Sequence, residues 1–266
     1  MGTAAQGRRP GAYAIQARTY DLTRGASPTV IRALTDRLGP AQRRSQLDIA
    51  GGTGNYAQVF RARGFTVLLV DAEIAMLAHA VRKLGRGVCV AGDAEALPFR
   101  GETFDCAMMV NAVHLLDDPS AAFREARRIL RSGPLVLTAF TRENLTGLFV
   151  YEYFGLDAPP TMRPANAEFE AMLISAGFAR VEFARYVYTD TVDGSLNALH
   201  TNALHLAGPA YLRNTSFWYA LDEEARRAGL QALARDLRSG VLERRVQESY
   251  REAVASGHGT VFAAWP

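Results

Sequence analysis

Leu47-Asp48-Ile49-Ala50-Gly51-Gly52-Thr53-Gly54-Asn55-Tyr56 is the stretch that decides the fold. An apolar run meets three glycines within four residues and then enters a helical pattern, so it reads as strand, tight turn and helix start. Glycine lacks a Cβ and lets such a turn bring its backbone close to a ligand. The helix that follows presents unpaired N–H groups to whatever is bound there. A nucleotide-like molecule is the expected occupant. Gly52-Thr53-Gly54-Asn55-Tyr56-Ala57 satisfies the dinucleotide fingerprint G-x-G-x-x-G/A, and Asp71 stands where a ribose-binding acid would. The turn alone therefore leaves a nicotinamide cofactor open.

Downstream, short apolar runs alternate with amphipathic segments from Gln46 to Phe140. Strands are expected at QLDIA, TVLLVD, GVCVAGD, FDCAMMVN and LVLTAF. Helices are expected near Tyr56–Arg63, Ile74–Leu84 and Ala121–Leu130, with little or none between the third and fourth strands. Strands apolar on both faces within a βαβ rhythm argue for a parallel sheet covered on both sides. Ligands of such sheets bind beyond the C-terminal strand ends, where Asp48, Asp71, Asp93 and Asn111 all fall. Residues 141–165, with Pro159-Pro160 and Pro164, read as a loop or broken helix. A helix over Asn166–Gly177, a sixth strand in VEFARYVYTD, a helical block over 194–256 and a last strand in GTVFAAWP complete the pattern. The expected fold is α/β: a Rossmann-like, doubly wound, seven-stranded, mostly parallel sheet with a helical insertion before the last strand.

Composition sets bounds. The 266 residues are 48% hydrophobic and 21% charged with a net charge of +3, values of a globular chain with one substantial core. Lys83 is the single lysine, and the arginines are scattered in pairs such as Arg43-Arg44 and Arg244-Arg245 rather than massed with aromatics, so a nucleic-acid partner is not expected. No run is long enough for a bilayer. The N-terminal MGTAAQGRRPGAYAIQART lacks a signal-peptide core and reads as a flexible lead-in. Cys89 and Cys106 sit in apolar runs with no second ligand at metal spacing, which reads as reduced buried thiols in a cytoplasmic chain.

Four stretches in order resemble the class I S-adenosylmethionine-dependent methyltransferases, small-molecule branch, similar to ubiquinone/menaquinone methyltransferases. LDIAGGTGN resembles the D-x-G-x-G-x-G turn, VLLVDAEIAML the second motif, AGDAEALPF the adenine loop, and TFDCAMMVNAVHLLDD the strand beneath the methionine moiety. The resemblance implies S-adenosyl-L-methionine as cofactor. Asp48 would suit its ammonium, with Gly52, Gly54 and Asn55 in the turn. Asp71 would take both ribose hydroxyls, Ala72 and Met76 would line the adenine, and Asp93 and the Ala94 N–H would read its edge. The Asn111 carbonyl would face the ammonium. AIQARTYDLTRG resembles the segment that folds over the cofactor, placing Tyr20 above the methionine with Arg24 nearby. Ala50 departs from the pattern, which has glycine there; one added methyl should tighten the fit and leave binding intact. Asp71 could instead cap the next helix, and Tyr13 and Tyr20 could be ordinary packing.

The implied reaction moves a methyl group to a small organic acceptor, in specialised (natural-product) metabolism, by O-, N- or C-transfer. His114, on the loop between cofactor and acceptor, is the candidate general base. His200 and His205 lie about 140° apart on a helix and make a poor metal pair. Together with Tyr151, Tyr153, Tyr211, Trp218 and Tyr219 they either line an acceptor cavity or form the insertion's own core. The expected domains are 1–190 plus 257–266 for the cofactor, with 1–45 as an N-terminal helical cover, and 191–256 as a helical lid. Two other readings stay open: a protein that binds the cofactor for other chemistry or none, and an NAD(P)-dependent oxidoreductase, against which Asp48 and the GDAEALPF loop speak.

Overall fold

The computed structural model of the chain describes residues 12–145, 147–156 and 163–266. The start of the expected lead-in and Pro159-Pro160 lie outside these residues. Three short N-terminal helices, α1 (Ala12–Gln16), α2 (Tyr20–Thr23) and α3 (Pro28–Leu38), precede the sheet. The last has the start its sequence predicts, with Pro28 at the first turn and the Ser27 hydroxyl accepting from the Val30 N–H. Then follow β1 (Ser45–Ile49), α4 (Asn55–Ala62), β2 (Thr66–Asp71), α5 (Ile74–Leu84), β3 (Cys89–Ala91), β4 (Cys106–Val110), α6 (Pro119–Ile129) and β5 (Leu135–Ala139). As expected, no helix joins β3 to β4. Residues 142–145 and 149–154 form tight 3-10 turns rather than a longer helix. Next come α7 (Asn166–Ser175) and β6 (Arg180–Tyr186), and after five more helices the chain ends in β7 (Gly259–Trp265).

The seven strands lie in the order β3-β2-β1-β4-β5-β7-β6. β7 runs antiparallel to both of its neighbours, while every other pairing is parallel. Alternate side chains of β4 show why both faces are apolar. Ala107 and Met109 enter one core with Phe123 and Ile129 of α6 and Phe169 of α7. Cys106 and Met108 enter the other with Leu34 of α3, Phe60 of α4 and Leu77 of α5. Burial pushes the Cys106 thiol up to about 11; Cys89 is only partly buried.

The helices between β6 and β7 are α8 (Leu196–Leu199), α9 (Ala203–Leu206), α10 (Pro209–Leu212), α11 (Glu223–Arg238) and α12 (Val241–Ser256). They share a third core with Phe149, Val150 and Phe154. No helix among the described residues is long and apolar enough to cross a membrane.

Candidate functional site

The glycine turn leaves β1 at the strand ends and opens on a cavity of about 170 Å³. Its glycines have different tasks. A Cβ on Gly51 would lie 2.6 Å from Leu69 and 2.8 Å from the Asp48 carboxyl carbon, so packing requires glycine there. Gly52, at φ 57°, faces open space. Gly54, at φ 80°, packs against Leu84 and Ala80 of α5 and starts α4, a turn-shaping position. Ala50 also sits at positive φ, 54°. Alanine pays there for a conformation glycine reaches freely, so the departure from the motif is backbone strain and not only a tighter fit.

Asp71 ends β2 with both carboxylate oxygens engaged: Oδ2 accepts from Gly52 N at 2.7 Å and Oδ1 from Glu73 N at 2.8 Å. The capping of α5 falls to Glu73, whose side chain accepts from Ala75 N. Asp71 thereby ties the turn to the neighbouring strand. Asp71, Ala72, Met76, Asp93, Ala94 and Asn111 share the main cavity with Tyr20, Ala50 and Gly52. Asn111, at φ 51°, is held by Thr138 of β5, to which its N–H donates at 3.0 Å.

Asp48 is not exposed at the strand end. It is 1% accessible, within β1, and its Oδ2 has no hydrogen-bond partner. It borders a smaller cavity of about 50 Å³ behind the turn, with Arg24, Asn55 and Asn111. Burial, with Asp71 nearby, pushes the Asp48 carboxyl well above the usual range. A cation beside it would reverse that preference.

Two clusters that the sequence did not announce hold the N-terminal helices over the turn. Lys83 Nζ reaches Asp21 Oδ2 at 2.7 Å and Asn55 Oδ1 at 2.5 Å, while Thr53 Oγ1 donates to Asp21 at 2.6 Å. Burial opposes ionisation of Asp21, yet these partners keep its pKa below the ordinary value. The Asn55 amide is spent on Asp21 and the Arg24 carbonyl. Asp193, 3% accessible, accepts from Arg24 Nε at 2.6 Å, Tyr56 Oη at 3.1 Å and Asn111 Nδ2 at 3.1 Å. It joins the N-terminal cover, α4 and the end of β4. No local pattern could have marked it, since Arg24 is 169 residues away.

The far side of the main cavity carries His114, Phe140, Leu148, Tyr151, Arg163 and Phe217. His114 lies in a 3-10 turn, its ring 6.2 Å from that of Phe140. Burial, then the Arg163 and Arg24 charges, lower its pKa to about 3, so at neutral pH it is an uncharged, weak base. Tyr13 and Tyr20 line the cavity, and of the aromatics offered by sequence for the acceptor Tyr151 alone does so among the described residues. Trp218 belongs to the core of the inserted helices, Tyr153 donates to Asp236 at 2.8 Å, and Tyr211 stacks on His205. His200 is fully buried, edge-on to Phe149 at 4.9 Å.

Residues 47–138 match the methyltransferase domain family. The chain is 30% identical over 181 residues to a ubiquinone/menaquinone biosynthesis C-methyltransferase of Paracoccus denitrificans, covering 57% of this chain and 72% of that one. It is 28% identical over 192 residues to a malonyl-[acyl-carrier protein] O-methyltransferase of Erwinia pyrifoliae, covering 71% and 72%. A solved structure from Anabaena variabilis, described as a methyltransferase from an antibiotic biosynthesis pathway, superposes with a TM-score of 0.76 at 22% identity over 92% of this chain and 99% of that one.

Proposed function

Because this chain belongs to the class I S-adenosylmethionine-dependent methyltransferases, we propose that its main cavity is divided between the cofactor, on the β1–β3 side, and a small organic acceptor beneath the helices inserted before β7. The observation that carries this reading is one continuous cavity that joins Gly52, Asp71, Met76 and Asp93 to His114, Tyr151 and Phe217. When bound, S-adenosylmethionine supplies a methyl group made electrophilic by its sulfonium. The residues present fit it. Asp48 borders the smaller cavity, and its buried Oδ2, without a hydrogen-bond partner, would suit a cationic group such as an ammonium. Asp71 would meet the ribose, and Ala72, Met76, Asp93 and Ala94 the base.

The chain's own work is then to exclude water and align the acceptor. Residues 191–256 act as the lid, and residues 12–45 as the cover clamped by Asp193 and Lys83. His114, uncharged, is assigned the hydrogen bond that orients the acceptor's nucleophilic atom and receives its proton where one is released. The whole lid lies outside the matched domain, so the acceptor is not carried over from the relatives' quinones; we place it in specialised metabolism.

The test is calorimetric titration with S-adenosylhomocysteine beside NAD+, followed by transfer from methyl-labelled cofactor. Asp71→Ala should weaken S-adenosylhomocysteine roughly tenfold or more, the value of a lost charge-assisted hydrogen bond. Unchanged affinity would remove Asp71 from the ribose site.

A further inference from the structure

The charges of the main cavity are unevenly distributed. Its carboxylates are Asp71 and Glu73 at the end of β2, Asp93 and Glu95 beyond β3, and Asp117 on the loop after β4, whose N–H donates to Glu95 at 2.7 Å. Its two cations are Arg24 and Arg163. Arg24 is committed to Asp193 at 2.6 Å. Arg163 has no carboxylate at ion-pair distance among the described residues. It faces the same space as His114, Phe140, Tyr151 and Phe217.

We propose that the acceptor is an organic acid with an apolar or aromatic body, and that Arg163 is the residue that receives its carboxylate. This rests on the assignment of the far side of the cavity to the acceptor. A half-buried guanidinium with no counter-ion among the described residues is costly, and a ligand carboxylate would relieve that cost through two parallel N–H···O bonds. A neutral acceptor would leave it standing. The charge on Arg163 is felt by both His114 and Tyr151, so it lies among the groups that would surround the acceptor. Burial shifts its pKa downward, partly opposed by Tyr151.

The position is also built. The Arg163 carbonyl accepts from Arg142 Nε at 3.3 Å, and the Pro164 carbonyl accepts from Arg142 N at 3.1 Å. The proline that follows narrows the backbone range open to Arg163. A single guanidinium suits a monoanion. A phosphate would call for several cations or a row of backbone N–H groups, and the described residues on this side offer no second free cation.

The experiment uses the intact protein loaded with S-adenosylhomocysteine and measures binding of benzoate and 3-phenylpropionate against benzamide and 3-phenylpropionamide. At least one acid should bind roughly tenfold or more tighter than its amide. Arg163→Gln should erase that preference and leave the amide's affinity and that of S-adenosylhomocysteine unchanged; Arg163→Lys should restore part of it. If neither acid exceeds its amide, or the preference survives Arg163→Gln, the proposal is overturned. A protein that fails to take S-adenosylhomocysteine would instead defeat the cofactor assignment, so the two failures are distinguishable.

Discussion

Lowering the pH from 7 to 5 should destabilise this fold through two histidines that have no part in the proposed site. The Nδ1 of His200 lies 2.8 Å from the Leu196 carbonyl. A carbonyl only accepts, so Nδ1 carries the proton and the buried Nε2 is a bare acceptor without a partner. His258 has the opposite tautomer. Its Nδ1 accepts from Tyr188 N at 3.0 Å, and its Nε2, which carries the proton, is also unpartnered. Protonating His200 would point a charged N–H at no acceptor; protonating His258 would break its bond to Tyr188. Burial is the leading cause in both, and each pKa falls from 6.5 to about 4. Between those values the unfolded chain binds more protons than the folded one, so stability drops as pH falls through the window. The linkage relation gives a loss of about 2 kcal/mol per histidine between pH 7 and pH 5. Asp48, whose carboxyl is raised in the fold, acts in the opposite direction, so the total slope is not the diagnostic. The difference between variants is. Urea unfolding at pH 7 and pH 5 should show a drop smaller by about 2 kcal/mol in His200→Asn, and again in His258→Asn, than in the parent. If neither variant changes the drop, the buried tautomers are not what makes the fold acid-sensitive.

Three further outcomes are expected. Ala50→Gly relieves a left-handed alanine of about 1–2 kcal/mol and gives back part of it in unfolded-chain entropy, so it should stabilise by about 0.5 kcal/mol in urea unfolding with S-adenosylhomocysteine affinity retained; a destabilised variant would show that φ 54° carries no strain. Asp193→Ala strands Arg24 and should cost about 3–5 kcal/mol in the same assay while weakening S-adenosylhomocysteine; a loss under 1 kcal/mol would mean that the cover does not depend on this buried pair. His114→Ala should slow single-turnover transfer by roughly tenfold to a hundredfold with the cofactor still bound. With a pKa of about 3, His114 should give the parent rate no inflection near pH 6.5; an inflection there that vanishes in the variant would show that His114 ionises as an ordinary histidine.

The two halves of the cavity were unequally legible, and the reason is physical. The side we propose for the cofactor is built mainly from the glycine turn and the strand ends, at residues that follow one another in chain order from Asp48 to Asn111. Close backbone approach demands particular residue types in the chain itself: glycine where a side chain would collide, a carboxylate ending a strand. Such demands leave a linear pattern, and Gly52, Asp71, Met76 and Asp93 do meet in one cavity. The strand rhythm was readable on the same ground, because alternation along β4 feeds two cores whatever the distant sequence is. The side we propose for the acceptor is lined by residues 114, 140, 148, 151, 163 and 217, brought together only by the fold. Aromatic spacing shows that a helix has an apolar face, not whether that face meets a cavity or a neighbour. Tyr151 and Tyr153 carry the same signal, yet one lines the cavity while the other bonds to Asp236. Arg163 was invisible for a related reason: in an arginine-rich chain its significance lies in having no carboxylate at ion-pair distance among the described residues, which is a property of three-dimensional surroundings. Acceptor identity should therefore vary through positions such as 163 and 217 while the turn at 51–54 stays as it is, so an Arg163 substitution that changes the preferred acid leaves cofactor affinity untouched.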